Sequence, residues 1–450
     1  MRYWICILCF NPFFYTYASI NYHVLVNKNL KQLDVKICSD KNLPSQYALG
    51  RSRSSQYIKS LTQHSTSKPS KNLKLYRGRL YLSDTSTGDC VSYQTDLTKS
   101  LVHDNKTVLI DNRDWLLYPN TEHQVKIQFH FEHRKHKVSA PWPKVHKGKS
   151  NNHYILPRYP KSQSSKTVIG QVHIASLNVK NAKIEIALIG TDDKKRLNEY
   201  IKWISDTAEI LDTHTGLFPQ RPVQIILAAK GSQREAVPWA EVQRGGGASV
   251  HFYVDEFRNI NDFYQDWTAV HEFSHLYLPS LQTEDLWLSE GLATYYQVVL
   301  RSKAKITTSS QGWQKLLSGF NRGKRADNGL NLRQTNATQH YYWGGTAYFF
   351  MADVAIRTHT NQTLFSVMNQ FVNCCINEVG QWSAERLTAK LDSISQTRIF
   401  SELLEKQALT RSFPNVDPVL ATLGVTQSFW GRIRINDEQG YDMRKQIMSP

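Results

Sequence analysis

Apolar and polar residues alternate through much of the first third of the chain. Val125, Ile127, Phe129 and Phe131 are separated by Lys126, Gln128 and His130. That period of two turns one face of a strand toward a core and the other toward water. Leu75 to Leu82 predicts a second strand, broken at Gly78, and clusters of Gly, Ser and Asp punctuate the interval. Residues 19 to about 172 are therefore expected to form an antiparallel β domain. Ser52 to Asn72, rich in Ser and Lys, is expected to be a mobile loop. His133 to His153, rich in Lys and His and carrying Pro141 and Pro143, is expected to be a solvated basic strand and loop. Six His fall between His123 and His153, without the tight spacing of a metal site.

The period changes near residue 180. Ile184 to Ile189 is apolar apart from Glu185, and Val223 to Ala229 is apolar apart from Gln224, so both predict buried strands. Between them Leu197, Ile201, Ile204, Ala208 and Leu211 recur at helical spacing. Beyond Gly345 the spacing is helical again, through Tyr348, Met351, Ala352 and Ala355, then Leu364 to Val372, Ala384 to Leu391 and Phe400 to Leu409. Asn321 to Gln334 reads as a loop. The pattern is that of an α+β multidomain chain: a β domain over 19–172, an α/β part over 173–300, a helical part over 301–425, and a tail over 426–450 without a predicted element.

Within the α/β part, His271-Glu272-Phe273-Ser274-His275 is an H-E-x-x-H sequence. On a helix, positions i and i+4 share a face, so both imidazoles can reach one metal ion, with Glu272 near enough to touch a water on it. Phe263, Trp267 and Val270 place the motif on a helix with one apolar side, and Pro279 ends that helix. A second helix follows from Glu290 to Leu300, with Asp285 or Ser289 as its cap. Glu290, in its first turn, is a candidate third ligand. Two His and one carboxylate leave a fourth tetrahedral position open, as catalytic zinc requires. Thr294, one turn further on, is a candidate to orient a ligand.

H-E-F-S-H followed by W-L-S-E-G-L-A-T-Y-Y resembles the gluzincin metallopeptidases, in particular the aminopeptidase N and leukotriene hydrolase family and the glycyl aminopeptidase family. The resemblance implies an amino-terminal β-sandwich, a thermolysin-like α/β catalytic domain and a carboxy-terminal helical region. It implies one Zn2+ held by His271, His275 and Glu290, with Glu272 as general base. Tyr341-Tyr342-Trp343-Gly344 stands where these families carry Y-x-K-G, so the resemblance gives Tyr342, with Tyr341 as the fallback, the task of stabilising the transition state. Gly245 to Val250 stands where they carry G-x-M-E-N. Gly246, Gly247 and Ala248 lack side chains that would block an approaching backbone, and are expected to pair with an extended peptide or to form a simple turn. Ser249 falls where those families bind the substrate's amino terminus through a Glu. A hydroxyl cannot neutralise an ammonium ion, so aminopeptidase and endopeptidase modes both stay open. The sequence thus points to a zinc peptidase acting on peptides or proteins, with a non-catalytic peptide-binding protein on the same fold as the alternative.

Composition adds direction. The 450 residues carry 55 Lys and Arg against 38 Asp and Glu, a net charge of +17. The basic residues are scattered and form no nucleic-acid module, so no nucleic acid partner is expected, while peripheral contact with an anionic membrane is compatible with the charge. Met1 to Ala18 resembles a signal peptide: Arg2, an apolar run to Phe14, then Thr16-Tyr17-Ala18. The chain is therefore expected to be exported. Cys6 and Cys9 lie in that segment. Cys38 and Cys90 can pair in an oxidising compartment, and the adjacent Cys374 and Cys375 are expected to be free buried thiols. Asn105, Asn336 and Asn361 begin N-x-T sequons.

Overall fold

The computed structural model describes residues 19–103, 106–145, 152–180, 182–219, 222–378, 380–427, 433–436 and 438–449. The expected signal peptide and the Asn105 sequon lie outside these residues. The chain divides into two compact units. One comprises residues 1–105, 112–135 and 142–157, and the other 106–111, 136–141 and 158–450.

The first unit is built on a seven-stranded sheet. Its order is His153–Leu156, Gln124–Phe131, Ser19–Val26, Gln32–Ser39, Cys90–Asp96, Ile58–His64, Lys71–Asn72. All neighbours are antiparallel except Ser19–Val26 against Gln124–Phe131, which run parallel. Alternation is realised as expected: Val125, Ile127 and Phe129 are buried while Gln124 and His130 are exposed. The buried face carries Tyr22, Tyr93, Trp115, Trp142 and Tyr154. Two phenols in this core find backbone partners, Tyr22 at Leu117 O (2.6 Å) and Tyr93 at Trp115 O (3.0 Å). Cys38 and Cys90 face each other across neighbouring strands and form a disulfide. Ser52–Asn72 is not a loop: it holds a 3-10 turn (Ser52–Tyr57) and the strands Ile58–His64 and Lys71–Asn72. Ladder hydrogen bonds of Ile58–His64 to Cys90–Asp96, and of Lys71–Asn72 to Ile58–His64, override the polar composition.

The second unit opens on a five-stranded mixed sheet. Its order is His173–Val179, Ala182–Ile189, Val223–Lys230, Ala248–Asp255, Trp239–Gln243, with the three central strands parallel and both edges antiparallel. Helix α1 (Lys194–Thr215) follows the second strand in sequence, starting on an Asp193 cap that accepts from Lys195 N (2.9 Å) and ending at Gly216 in the left-handed region. After the sheet come α2 (Ile260–Gln265), α3 (Thr268–Ser274), α4 (Leu286–Lys303), α5 (Ser309–Arg325), α6 (Thr338–His359), α7 (Leu364–Cys375) and α8 (Ala384–Ser395). Helix α5 enters the stretch expected to be a loop from Asn321. Its capping box at Thr308 and Gln311 and its buried Trp313, Leu316, Leu317 and Phe320 carry it to Arg325. The tail is also ordered in part, with a helix at Tyr441–Met448 whose Ile447 and Met448 are buried. Cys374 and Cys375 are disulfide-bonded to each other at the end of α7, not free thiols.

Helix α4 is the centre of this unit. Every residue in it except Leu286, Glu290 and Lys303 is buried, the mark of a helix surrounded by others. It crosses α6 with backbones in contact. A Cβ added at Gly345 would lie 2.3 Å from Trp287 O and 2.9 Å from Gly291 Cα, and one added at Gly291 would lie 2.3 Å from Gly345 C. No side chain fits on either side. Gly345→Val is therefore expected to lower unfolding stability by about 3 kcal/mol, read as a fall in urea midpoint. An unchanged midpoint would show that the two helices can separate without cost.

Candidate functional site

The approach to H-E-x-x-H is two helices instead of one. Helix α2 ends at Asp266, whose extended backbone breaks it, and the Asp266 carboxylate accepts from Thr268 N (2.7 Å) to start α3. Trp267, expected on the apolar side, is left 45% exposed, with its ring edge-on to that of His271 at 5.2 Å. All seven residues of α3 are buried, and His275 opens a 3-10 turn, His275–Tyr277, before Pro279. The spacing of four brings both imidazoles to one side. Ligand atoms of His271, Glu272 and His275 lie within 4.8 Å of one another.

Glu290 arrives from α4. That helix starts at Leu286, not at Glu290, so the carboxylate stands in its second turn. Asp285 does not cap it, because its carboxylate is taken by Arg333 (2.6 and 3.2 Å) and by Ala384 N (2.7 Å). Glu290 Oε2 lies 3.3 Å from His271 Nε2 and 3.6 Å from His275 Nε2. Two imidazole nitrogens and one carboxylate oxygen thus face a common point. Burial alone would raise the Glu290 carboxyl. The imidazoles of His275 and His271 and the Tyr342 hydroxyl outweigh it and hold Glu290 ionised. Burial pushes His275 down to about 3, leaving a neutral imidazole with a lone pair. Glu272 goes the other way: burial, reinforced by Glu290 and Glu241 and opposed by His271 and Arg244, lifts its carboxyl to about 7.

The orientation of both imidazoles is fixed from behind. His271 Nδ1–H donates to Gln297 Oε1 (3.2 Å), which leaves Nε2 as the lone-pair nitrogen, and His275 Nδ1 lies 2.9 Å from Ser289 Oγ. Gln297 is the residue that the sequence reading missed. It stands seven positions after Glu290 on the same face of α4, where a heptad count would have found it. Thr294, the expected orienting residue, is buried, and the two imidazoles take their partners elsewhere. From α6, Tyr342 lays its ring nearly parallel to that of His271 (6.4 Å, 15°), and its hydroxyl helps hold the Glu290 carboxyl down. Tyr341 packs beside Tyr342, with ring centroids 5.9 Å apart. Arg244, also unforeseen, donates from Nη2 to His275 O (2.8 Å) at the carboxy-terminal end of α3. Burial lowers its guanidinium to about 10, against the attraction of Glu290 and Glu272.

The glycine run and Ser249 have local tasks. Residues 244–248 form the turn between the edge strand Trp239–Gln243 and its neighbour Ala248–Asp255. Gly246 has φ +85°, and a Cβ at Gly247 would lie 1.8 Å from Pro141 O. Ala248 pairs with Val223 inside the sheet and is buried. The room left by the missing side chains is occupied by the chain itself. Ser249 is fully buried within a directed line of hydrogen bonds. Lys166 Nζ donates to His251 Nδ1 (2.8 Å), His251 Nε2–H to Ser249 Oγ (2.9 Å), and Ser249 to Gln224 Oε1 (2.7 Å). Gln224 Nε2 then donates to Ser139 Oγ (3.0 Å), and Ser139 to Glu185 Oε1 (2.8 Å). Lys166 also pairs with Glu241. Burial holds His251 down to about 4, consistent with a neutral ring that accepts at one nitrogen and donates at the other. Ser249→Ala would strand Gln224 Oε1 and the His251 N–H, and is expected to cost about 1–3 kcal/mol of stability in urea melts. A variant as stable as the parent would remove Ser249 from this line.

Neither a protein-family sequence profile nor a curated protein sequence matches the chain. Solved structures do. The crystal structure of an aminopeptidase N family protein from Idiomarina loihiensis superposes with a TM-score of 0.68 at 16% identity, covering 90% of this chain and 78% of that one. The chain therefore has an aminopeptidase-N-like fold, an α+β architecture with an antiparallel β-rich amino-terminal part and carboxy-terminal helices.

Proposed function

We propose that the protein is a zinc-dependent peptidase. The observation that carries this reading is the convergence of His271 Nε2, His275 Nε2 and Glu290 Oε2 beside a Glu272 carboxyl lifted to about 7. The donor set suits zinc: two neutral-capable imidazoles, one carboxylate, and backing contacts that fix both rings. A zinc ion bound there lowers the pKa of a water toward ~7 and polarises a carbonyl. Glu272, its carboxyl lifted to about 7, would accept a proton from the attacking water and return it to the leaving amine. The Tyr342 hydroxyl, which lies on the Glu290 side of the site, would donate to an oxyanion on the scissile carbonyl. An extended substrate aligns along the sheet's edge strand, Trp239–Gln243.

Burial of Ser249 bears on the mode of cleavage. With no carboxylate at that position and the hydroxyl committed to Gln224 and His251, a free substrate amine finds no partner there, which favours an endopeptidase. Hydrolysis of amino-blocked peptides at rates matching free ones supports this, and a strict need for a free amine supports an aminopeptidase. The Cys38–Cys90 disulfide favours an oxidising compartment, in line with export of the chain.

Glu272→Gln is expected to retain one equivalent of zinc by elemental analysis while peptide hydrolysis falls at least ~10²-fold. Parent-like hydrolysis by this variant would overturn the proposal. Gln297→Leu is expected to weaken zinc binding roughly 10- to 100-fold in chelator competition, because His271 loses the acceptor that sets its tautomer. Unaltered affinity would mean that the His271 ring is held by packing alone.

A further inference from the structure

The histidines of the first unit, which formed no metal pattern in the sequence, are gathered by its sheet. His23 stands on the exposed face of Ser19–Val26, between the buried Tyr22 and Val24. The parallel neighbour Gln124–Phe131 places Gln128 opposite His23 and His130 opposite Leu25. One strand further out, His153 pairs with Gln128. All three imidazoles therefore belong to the same end of one outward sheet face. His23 Nδ1 and His130 Nε2 lie 3.4 Å apart, with ring centroids 5.7 Å apart and planes within 24°. The two rings meet edge to edge, nitrogen toward nitrogen.

A separation of 3.4 Å is longer than the ~2.7–3.2 Å of a good hydrogen bond from N–H. It matches the span of about 3.3 Å between two imidazole nitrogens that share one tetrahedral ion at about 2.05 Å each. Burial first, then His130, Lys36 and His153, disfavour a proton on His23, which leaves its nitrogen free to act as a lone pair. A cleft of about 440 Å³ opens beside the pair, lined by Asp34, Lys36, Ser92 and Gln94 as well as both histidines. It gives an ion access from solvent and room for water ligands, and Asp34 supplies the nearby negative charge.

We propose that His23 Nδ1 and His130 Nε2 form a second metal site, distinct from His271 and His275, for a divalent first-row transition ion of the imidazole-binding kind, Cu2+ or Zn2+. Both nitrogens coordinate as lone pairs, with the ring protons on His23 Nε2 and His130 Nδ1. Small ring rotations aim the lone pairs without moving the backbone. The ion clips the first strand of the sheet to a partner more than a hundred residues away in sequence (|i−j| of 107).

Both histidines are exposed, so their replacement leaves the core intact and the peptidase site untouched. In titrations of the full chain with Cu2+, the parent is expected to bind one equivalent more than His23→Ala/His130→Ala, and each single variant to weaken that equivalent at least ~10-fold. Electron paramagnetic resonance of the extra equivalent should show nitrogen couplings that disappear in the double variant. Zn2+ should raise the melting temperature of the parent's β unit more than that of the double variant. Equal stoichiometry and affinity in parent and double variant would overturn the proposal, as would a Cu2+ spectrum unchanged by the substitutions.

Discussion

The contact between Gly291 and Gly345 sets the geometry on which the rest of the site depends. Helices α4 and α6 touch backbone to backbone there, and each glycine lies close in sequence to a functional side chain. Glu290 precedes Gly291 by one residue, and Tyr342 precedes Gly345 by less than one turn. Bringing the glycines together therefore brings the phenol to the carboxylate. A larger residue at either position would open the crossing and carry Tyr342 away from Glu290, since close-packed interiors transmit such displacements.

That closeness places several charges in an apolar centre, where each would be costly alone. They are resolved in pairs. Glu290 is held ionised by two imidazoles and a phenol. Arg244 answers Glu290 and Glu272 electrostatically and satisfies a carbonyl at the end of α3. For Glu272 the attraction of His271 and Arg244 is too weak to offset burial and the neighbouring carboxylates, and its carboxyl rises to about 7. The difference between the two glutamates is environmental. For Glu290 two imidazoles and a phenol outweigh burial, while for Glu272 burial wins.

Glu185 and Gln224 stood out as polar interruptions in two apolar strands. The sheet register makes them direct neighbours, Glu185 opposite Gln224 and Gln224 opposite Ser249, so three isolated oddities become one hydrogen-bonded line. Register between distant strands is not written in any local pattern. Ser52–Asn72 is ordered for the same reason, since Ile58–His64 is held by pairing with Cys90–Asp96 and Lys71–Asn72 by pairing with Ile58–His64, not by their own composition. Cys374 and Cys375 matched no bridge expected from spacing, yet the turn at the end of α7 joins them.

What the sequence determined by itself was local chemistry: the i and i+4 imidazoles, a carboxylate on the next helix, alternation in the β unit and helical spacing beyond residue 345. Short-range periodicity fixes which face a side chain takes, and that is enough to pair His271 with His275. Only the tertiary structure decided which other residues meet them. Gln297 behind His271, Arg244 at the end of α3, Tyr342 over Tyr341, Ser249 turned into the sheet and His23 against His130 all depend on contacts between segments far apart in the chain. Such contacts are set by packing and strand register, which no single segment carries.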